Sequence, residues 1–220
     1  MTSSGELARL GIGRLILFPA VMTLAVTLLR LAGELEQWSK TFFNPEQGGA
    51  GSVVGIVWLV PAFGVYFALK VTAKGDYPPR RGLAIVLAAV GFLLLTAGFA
   101  VFQKFLTTLT GLILMWTFAA AGAALQWPAW KSFFKVQLAY AYAARLPVAA
   151  VMAFATRAGW SSHYTAVVPG ESRLESFMLF GFIPQLVWWV SFTVIVGALF
   201  GAVAAAFAGY LRSPKRLPRR

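Results

Sequence analysis

The sequence predicts an all-α fold, a bundle of about six transmembrane helices that forms one integral-membrane domain over residues 1–220. Hydrophobic residues make up 59% of the chain and charged residues only 12%, which lies outside the composition of soluble domains. The apolar residues form about six runs near the length of about 20 residues that crosses a bilayer. The basic residues collect in alternate segments between these runs, a pattern typical of membrane topology.

The first three apolar runs predict spans at 15–31, 53–69 and 83–102. The first lies between Arg14 and Arg30, whose long side chains reach toward the lipid headgroups. It has the length of a signal-peptide core, but Arg30 stands where a cleavage site would be expected. We therefore expect a retained helix.

The next two runs predict spans at 106–125 and 136–156. Only a short connector around Gln103 and Lys104 separates the third span from the fourth, so these two spans should form a tight helical hairpin. The fifth span contains Arg145, a charge inside an apolar run.

The last apolar stretch, Phe177 to Tyr210, would be about 50 Å long as one helix, which is too long for a perpendicular span. We predict that Pro184 begins the sixth span, 184–209, as a first-turn residue, and that 177–183 lies along the outer interface. In the alternative, the break at Pro184 turns the amide of Gln185 toward a cavity walled by tryptophans.

Charge counts predict that both termini are cytoplasmic. With the amino terminus inside, 13 of the 19 lysines and arginines lie in cytoplasmic segments and five in external ones, and Arg145 remains within the membrane. The basic tail, 211–220, is then cytoplasmic and contacts lipid headgroups.

The first external loop predicts a short helix in the membrane interface. Within 33–43, Leu35, Trp38 and Phe42 recur at helical spacing, opposite charged residues that include Glu34.

Arg145 is the most informative single residue, because an arginine at the centre of a span costs about 2.5–3.5 kcal/mol unless it faces protein or water. Similar depths from opposite membrane edges place it near Gln185. Tyr142 and Trp188 complete the predicted polar intramembrane cluster. Two interpretations stay open: Arg145 satisfies carbonyls freed by the nearby Pro147 and by the fourth or sixth helix, or it holds an anionic group.

Small residues recur every four positions along the last span, which predicts a helix-packing face. They are Gly197, Gly201, Ala205 and Gly209. The partner helix could belong to this chain, to a second copy or to another subunit, and we favour this chain.

Several chemistries lack the residues that they need. The chain has no cysteine and one histidine, so we expect no metal site, no cofactor and no catalytic residues. Ser161, Ser162 and His163 suggest a hydrolase only superficially, because no acidic residue stands where it would orient the histidine. We predict that the protein is not an enzyme.

The sequence therefore favours a structural or accessory subunit of a larger membrane assembly, in a bacterial cytoplasmic (inner) membrane. Its expected partners are the bilayer, anionic lipid, and other membrane subunits or further copies of the chain, but no nucleic acid. The alternative is a small-solute or lipid binding or transport protein that is not ion-coupled, since the acidic residues lie in loops and tails.

In size, helix count and basic inner face the chain is similar in outline to the substrate-capturing S components of energy-coupling-factor transporters. Those proteins carry an alanine-x-x-x-alanine docking pattern in their first helix, whereas Ala20 and Ala25 here are five residues apart. The sequence is therefore not assigned to that family.

Overall fold

Helices account for the architecture of the computed structural model, which describes residues 11–46, 51–104 and 108–211. These residues contain no strand. Six helical segments among them are long and apolar enough to cross a membrane. The predicted all-helical bundle of an integral membrane protein is thereby confirmed at this level.

Each predicted span overlaps one long helix. The long helices are α1 (Ile12–Leu35), α2 (Leu59–Ala73), α3 (Arg81–Lys104), α4 (Leu109–Ala124), α5 (Lys131–Ala158) and α6 (Trp188–Leu211). A 3₁₀ turn, Ile56–Trp58, leads into α2, and a short helix, Gln126–Ala129, links α4 to α5. The predicted basic tail lies outside the described residues, apart from Leu211.

Contacts between connections show that consecutive helices alternate in direction. At one end of the bundle, the indole N–H of Trp130, beside the start of α5, donates to Asp76 in the α2–α3 connection at 2.9 Å. At the other end, Glu34 in the last turn of α1 contacts Ser162 in the α5–α6 connection. We call this second end of the bundle the Glu34 end.

The segment before α6 is helical, and its predicted place along the outer interface stays a prediction. A capping box at Ser172 and Glu175 starts the helix Arg173–Phe177. A π-helical stretch, Met178–Phe182, follows, and then the short helix Ile183–Leu186. Pro184 lies in the first turn of that short helix, as predicted for a first-turn residue, although helical residues precede it. The path into α6 is therefore helical from residue 173 onward, with a small irregularity at Val187.

The predicted short helix at 33–43 is not confirmed, because α1 continues to Leu35 and residues 36–46 form turns. Gln37 has a positive φ of 53°, and Trp38 N–H donates to the carbonyl of Gly33 at 2.9 Å. This is the Schellman arrangement that ends α-helices. Glu34 is consequently part of a transmembrane helix.

Helix α6 forms the centre of the bundle and contacts α2, α3, α4 and α5. The apolar window of its helical path is 61% buried, against 22% for α1 and for α3. α1 packs chiefly on α5, and α3 on α4.

The small-residue row of α6 packs against helices of the same chain. A Cβ placed on Gly64 of α2 would lie 2.6 Å from the carbonyl oxygen of Gly197. A Cβ on Gly201 would overlap the ring of Phe133 in α5. Ala205 is fully buried, and Gly209 abuts the side chain of Arg81. The close approach that small residues permit is used within this chain.

Candidate functional site: a cationic cleft at the Glu34 end

A cleft of about 290 Å³ lies between the 3₁₀ turn before α2, helix α5 and the helical path into α6, beside the 159–172 loop. One part of its wall is apolar, with Ile56, Val57, Val148, Met152, Ala166 and Phe180. The other part is polar or aromatic, with Arg30, Arg145, His163, Tyr164, Thr165, Gln185 and Trp189. None of these lining residues is acidic.

Arg145 reaches this cleft from the buried face of α5. Gln137, Ala141 and Arg145 follow at four-residue spacing, and all three are buried. Arg145 is 3% exposed, and its guanidinium lies over the ring of Trp189, 4.7 Å from the ring centre. The cation–π contact favours the charged form but supplies no hydrogen-bond acceptor.

The guanidinium of Arg145 makes no hydrogen bond and no ion pair within the described part of the chain. Its Nε is fully buried without a partner. No carbonyl near Pro147 accepts a hydrogen bond from it, so the described residues do not give it the carbonyl-capping role. Buried charges in proteins are normally paired, and an unpaired one is costly.

Gln185 lines the same cleft, so the structure brings together these two predicted cluster residues. Its side chain is 8% exposed, and its Nε2 donates to the sulfur of Met152 at 3.4 Å. Its Oε1 is buried without a partner. The wall of the cleft therefore contains an unused acceptor of Gln185 as well as the unused donors of Arg145.

The other two predicted cluster residues lie elsewhere. Tyr142 is 41% exposed and borders a groove at the opposite end of the bundle, with Arg14 and Lys135. Trp188 packs against Phe99 of α3. Neighbouring helix residues point about 100° apart, so when Gln185 faces the cleft, Trp189 and not Trp188 lies on its side of the helix.

Glu34 organises a polar network beside the cleft that the sequence analysis missed. It is 2% exposed. Its carboxylate accepts from Arg30 Nε at 2.9 Å, from Ser162 Oγ at 2.7 Å and from the backbone N–H of His163 at 3.1 Å. The expectation that no acidic residue reaches His163 is wrong, because Schellman capping extends α1 and turns Glu34 inward. The four-residue spacing of Arg30 and Glu34 was the available signal.

Glu34 also orients the imidazole of His163, whose Nδ1 lies 2.5 Å from Oε1. Burial lowers the pKa of His163 below its ordinary value, and the nearby charge of Arg30 adds to this, while the hydrogen bond to Glu34 opposes it. The ring is then neutral near pH 7, with its proton on Nδ1 facing the carboxylate. This leaves the lone pair of Nε2 as the acceptor of a ring that lines the cleft.

Tyr164 closes the cleft beside the histidine. Its ring centre lies 3.8 Å from that of His163, and its hydroxyl donates to the carbonyl of Thr27 at 3.3 Å. Burial raises the pKa of Tyr164, so its phenol stays protonated. The tyrosine thus anchors the loop to α1.

The described residues bring no three metal-ligating side chains together. No family model matches the sequence, and neither a curated protein nor a solved structure is significantly similar to it. The fold and the cleft together define an integral membrane helical bundle with a buried cationic cleft.

Proposed function

We propose that this protein is a membrane-embedded binding protein that holds a small anionic molecule, free or as a lipid headgroup, with Arg145 as its anchor. The unpaired guanidinium of Arg145 carries the proposal. It is nine-tenths or more buried, borders a cleft, and has no hydrogen-bond acceptor among the described residues. A bound anion would supply the negative charge and the hydrogen-bond acceptors that the described residues do not give to Arg145.

The walls of the cleft support a ligand that is anionic at one end and partly apolar. Its volume of about 290 Å³ is near the lower end of small-molecule sites, and apolar side chains cover one side. With no acidic residue on the lining, coupling to a cation gradient has no support here. In the predicted orientation, the ligand would enter from the outer side of the membrane.

The accessory-subunit hypothesis stays a prediction without added support. The small-residue row that suggested a partner packs on α2 and α5 of the same chain.

The test measures thermal stability of the purified protein in detergent, with a panel of phosphates, carboxylates and anionic lipids. An anion at about 100 times its Kd should stabilise the wild type by about 2.7 kcal/mol. Arg145→Gln should abolish this stabilisation, and Arg145→Lys should keep part of it, because lysine keeps the charge but not the planar guanidinium.

Two further observations make the test decisive. Without ligand, Arg145→Gln should be at least as stable as the wild type, because it removes an unpaired buried charge. Arg157→Gln, an exposed position of α5 outside the cleft, is the matched control and should bind as the wild type does. Anion stabilisation that persists in Arg145→Gln would refute the proposal.

A further inference from the structure

We infer that the anion held by this cleft carries a hydroxyl group next to its negative charge, the chemistry of a phosphoglycerol or a small hydroxy acid. The negative group contacts Arg145, and the hydroxyl donates to Gln185 Oε1 or His163 Nε2. This inference rests on the proposed function and specifies its ligand class.

The first step is that the cleft offers acceptors as well as donors. Gln185 is more than nine-tenths buried, and its Oε1 has no partner. A buried acceptor left unsatisfied is costly, so a ligand group that donates to it is favoured. Its Nε2 is directed to the sulfur of Met152, and its Oε1 lies in the cleft wall without a hydrogen bond from the described residues.

The second acceptor is held in place by Glu34. The carboxylate accepts a hydrogen bond from Nδ1–H of His163, which fixes the tautomer and leaves Nε2 as the acceptor of a ring that lines the cleft. No described residue donates to Nε2. Two side chains from different elements, the 159–172 loop and the path into α6, thus line the cleft with Arg145 and carry acceptors that no described residue uses.

The third step selects a hydroxyl over an ammonium group as the donor. Arg30 and Arg145 both line the cleft, and no lining residue is acidic. The two oxygens of Glu34 are already engaged by Arg30, Ser162 and His163. An ammonium group would therefore meet the positive charge of Arg145 and find no carboxylate on the lining, whereas a hydroxyl donates a hydrogen bond without bringing a charge.

The experiment compares ligands that differ only in hydroxyl groups. The soluble pair is glycerol 3-phosphate and propyl phosphate, and the lipid pair is short-chain phosphatidylglycerol and the matching phosphatidylpropanol. Binding to the full chain in detergent is measured from the concentration dependence of thermal stabilisation. The hydroxylated member of at least one pair should bind about threefold to tenfold more tightly, the range of one net hydrogen bond.

Two variants assign the preference to the acceptors. His163→Asn keeps an N–H donor for Glu34 in place of Nδ1 but removes Nε2. Gln185→Met keeps the side-chain length but removes the amide. At least one of them should reduce the hydroxyl preference to less than twofold, because the hydroxylated ligand then loses a hydrogen bond that the other member of its pair never makes. Ser161→Ala, an exposed neighbour outside the cleft lining, is the control and should keep the full preference.

The outcomes separate this inference from the function on which it rests. Equal binding of both members of each pair, dependent on Arg145, would overturn the hydroxyl inference and leave anion binding intact. Tighter binding of phosphoethanolamine than of glycerol 3-phosphate would also overturn it. A preference in the lipid pair alone supports a headgroup ligand, and a preference in the soluble pair supports a free solute. If no anion in either pair, and no carboxylate or hydroxy acid of the wider panel, stabilises the wild type, both proposals fail.

Discussion

Glu34 and Arg145 are both buried charged side chains, but among the described residues only Glu34 has hydrogen-bond partners that compensate its charge. Glu34 receives hydrogen bonds from Arg30, from Ser162 and from His163, so its charge is compensated within the chain. Arg145 receives one aromatic face and no acceptor. Compensation at Glu34 stabilises the fold, whereas the missing compensation at Arg145 is what a ligand can provide.

The burial of Arg145 could be predicted from its sequence position, because a charged side chain within an apolar run is costly unless it faces protein or water. Its shared cleft with Gln185 followed from similar depths on two antiparallel spans. The positions of Tyr142 and Trp188 could not be predicted in this way, because packing with neighbouring helices sets the rotation of each helix about its axis. The contact of Glu34 with His163 joins positions 129 residues apart, and no local sequence pattern predicts it.

The lowered pKa of His163 predicts a pH dependence of stability. Its pKa is below the ordinary value of about 6.5 in the folded chain, so the unfolded chain binds the proton more readily. Its contribution is present above pH of about 6.5 and is lost as the pH falls through the folded pKa. Thermal stability should therefore fall on acidification below about pH 6.5.

The control for this effect is His163→Asn, which keeps a donor for Glu34 but does not titrate. The part of the acid-induced loss that belongs to the histidine should disappear in this variant. An identical pH profile in both proteins would contradict the assignment. Because the chain has a single histidine, its titration can also be followed directly as one imidazole signal by NMR.

At the scale of elements, the helices were predictable and their ends were not. Apolar runs of membrane-spanning length indicated all six, because a bilayer admits few other ways to satisfy the backbone. The ends depend on capping: Gln37 ends α1 later than hydropathy suggested, and the Ser172–Glu175 capping box starts a helix well before Pro184. The second signal was visible as S-R-L-E, whereas a positive φ at a glutamine was not.

The small-residue row of α6 carries the prediction at this scale. Gly197→Leu and Gly201→Leu should each lower stability by about 1–3 kcal/mol or more, because the added side chains overlap Gln137 and Phe133 of α5. Val203→Leu is the control, since Val203 is 37% exposed and lies off this row. Thermal unfolding in detergent measures all three. Equal losses would show that the row is not a packing face.

At the scale of the whole molecule, alternating helices place the described basic residues mainly at one end and the cleft at the other. Arg14, Lys70, Lys74, Arg80, Arg81, Lys131 and Lys135 lie near helix ends opposite the Glu34 end. The cleft is therefore far from the surface that the positive-inside rule assigns to the cytoplasm. The orientation of the chain therefore decides from which side of the membrane a ligand reaches the cleft.

Reporter fusions test the orientation of the chain in the membrane. A phosphatase that is active only outside the cytoplasm should be active when fused after Gly49 or Gly170, and a fluorescent protein that matures only inside should fluoresce when fused after Gly75 or Arg220. The charge split of 13 to five predicts this pattern. The reversed pattern would refute the orientation and open the Arg145 cleft toward the cytoplasm, where its anion would have to be a cytoplasmic solute or an inner-leaflet headgroup. Arg145→Gln should leave either pattern unchanged, since a single charge within the membrane does not set the orientation of the loops.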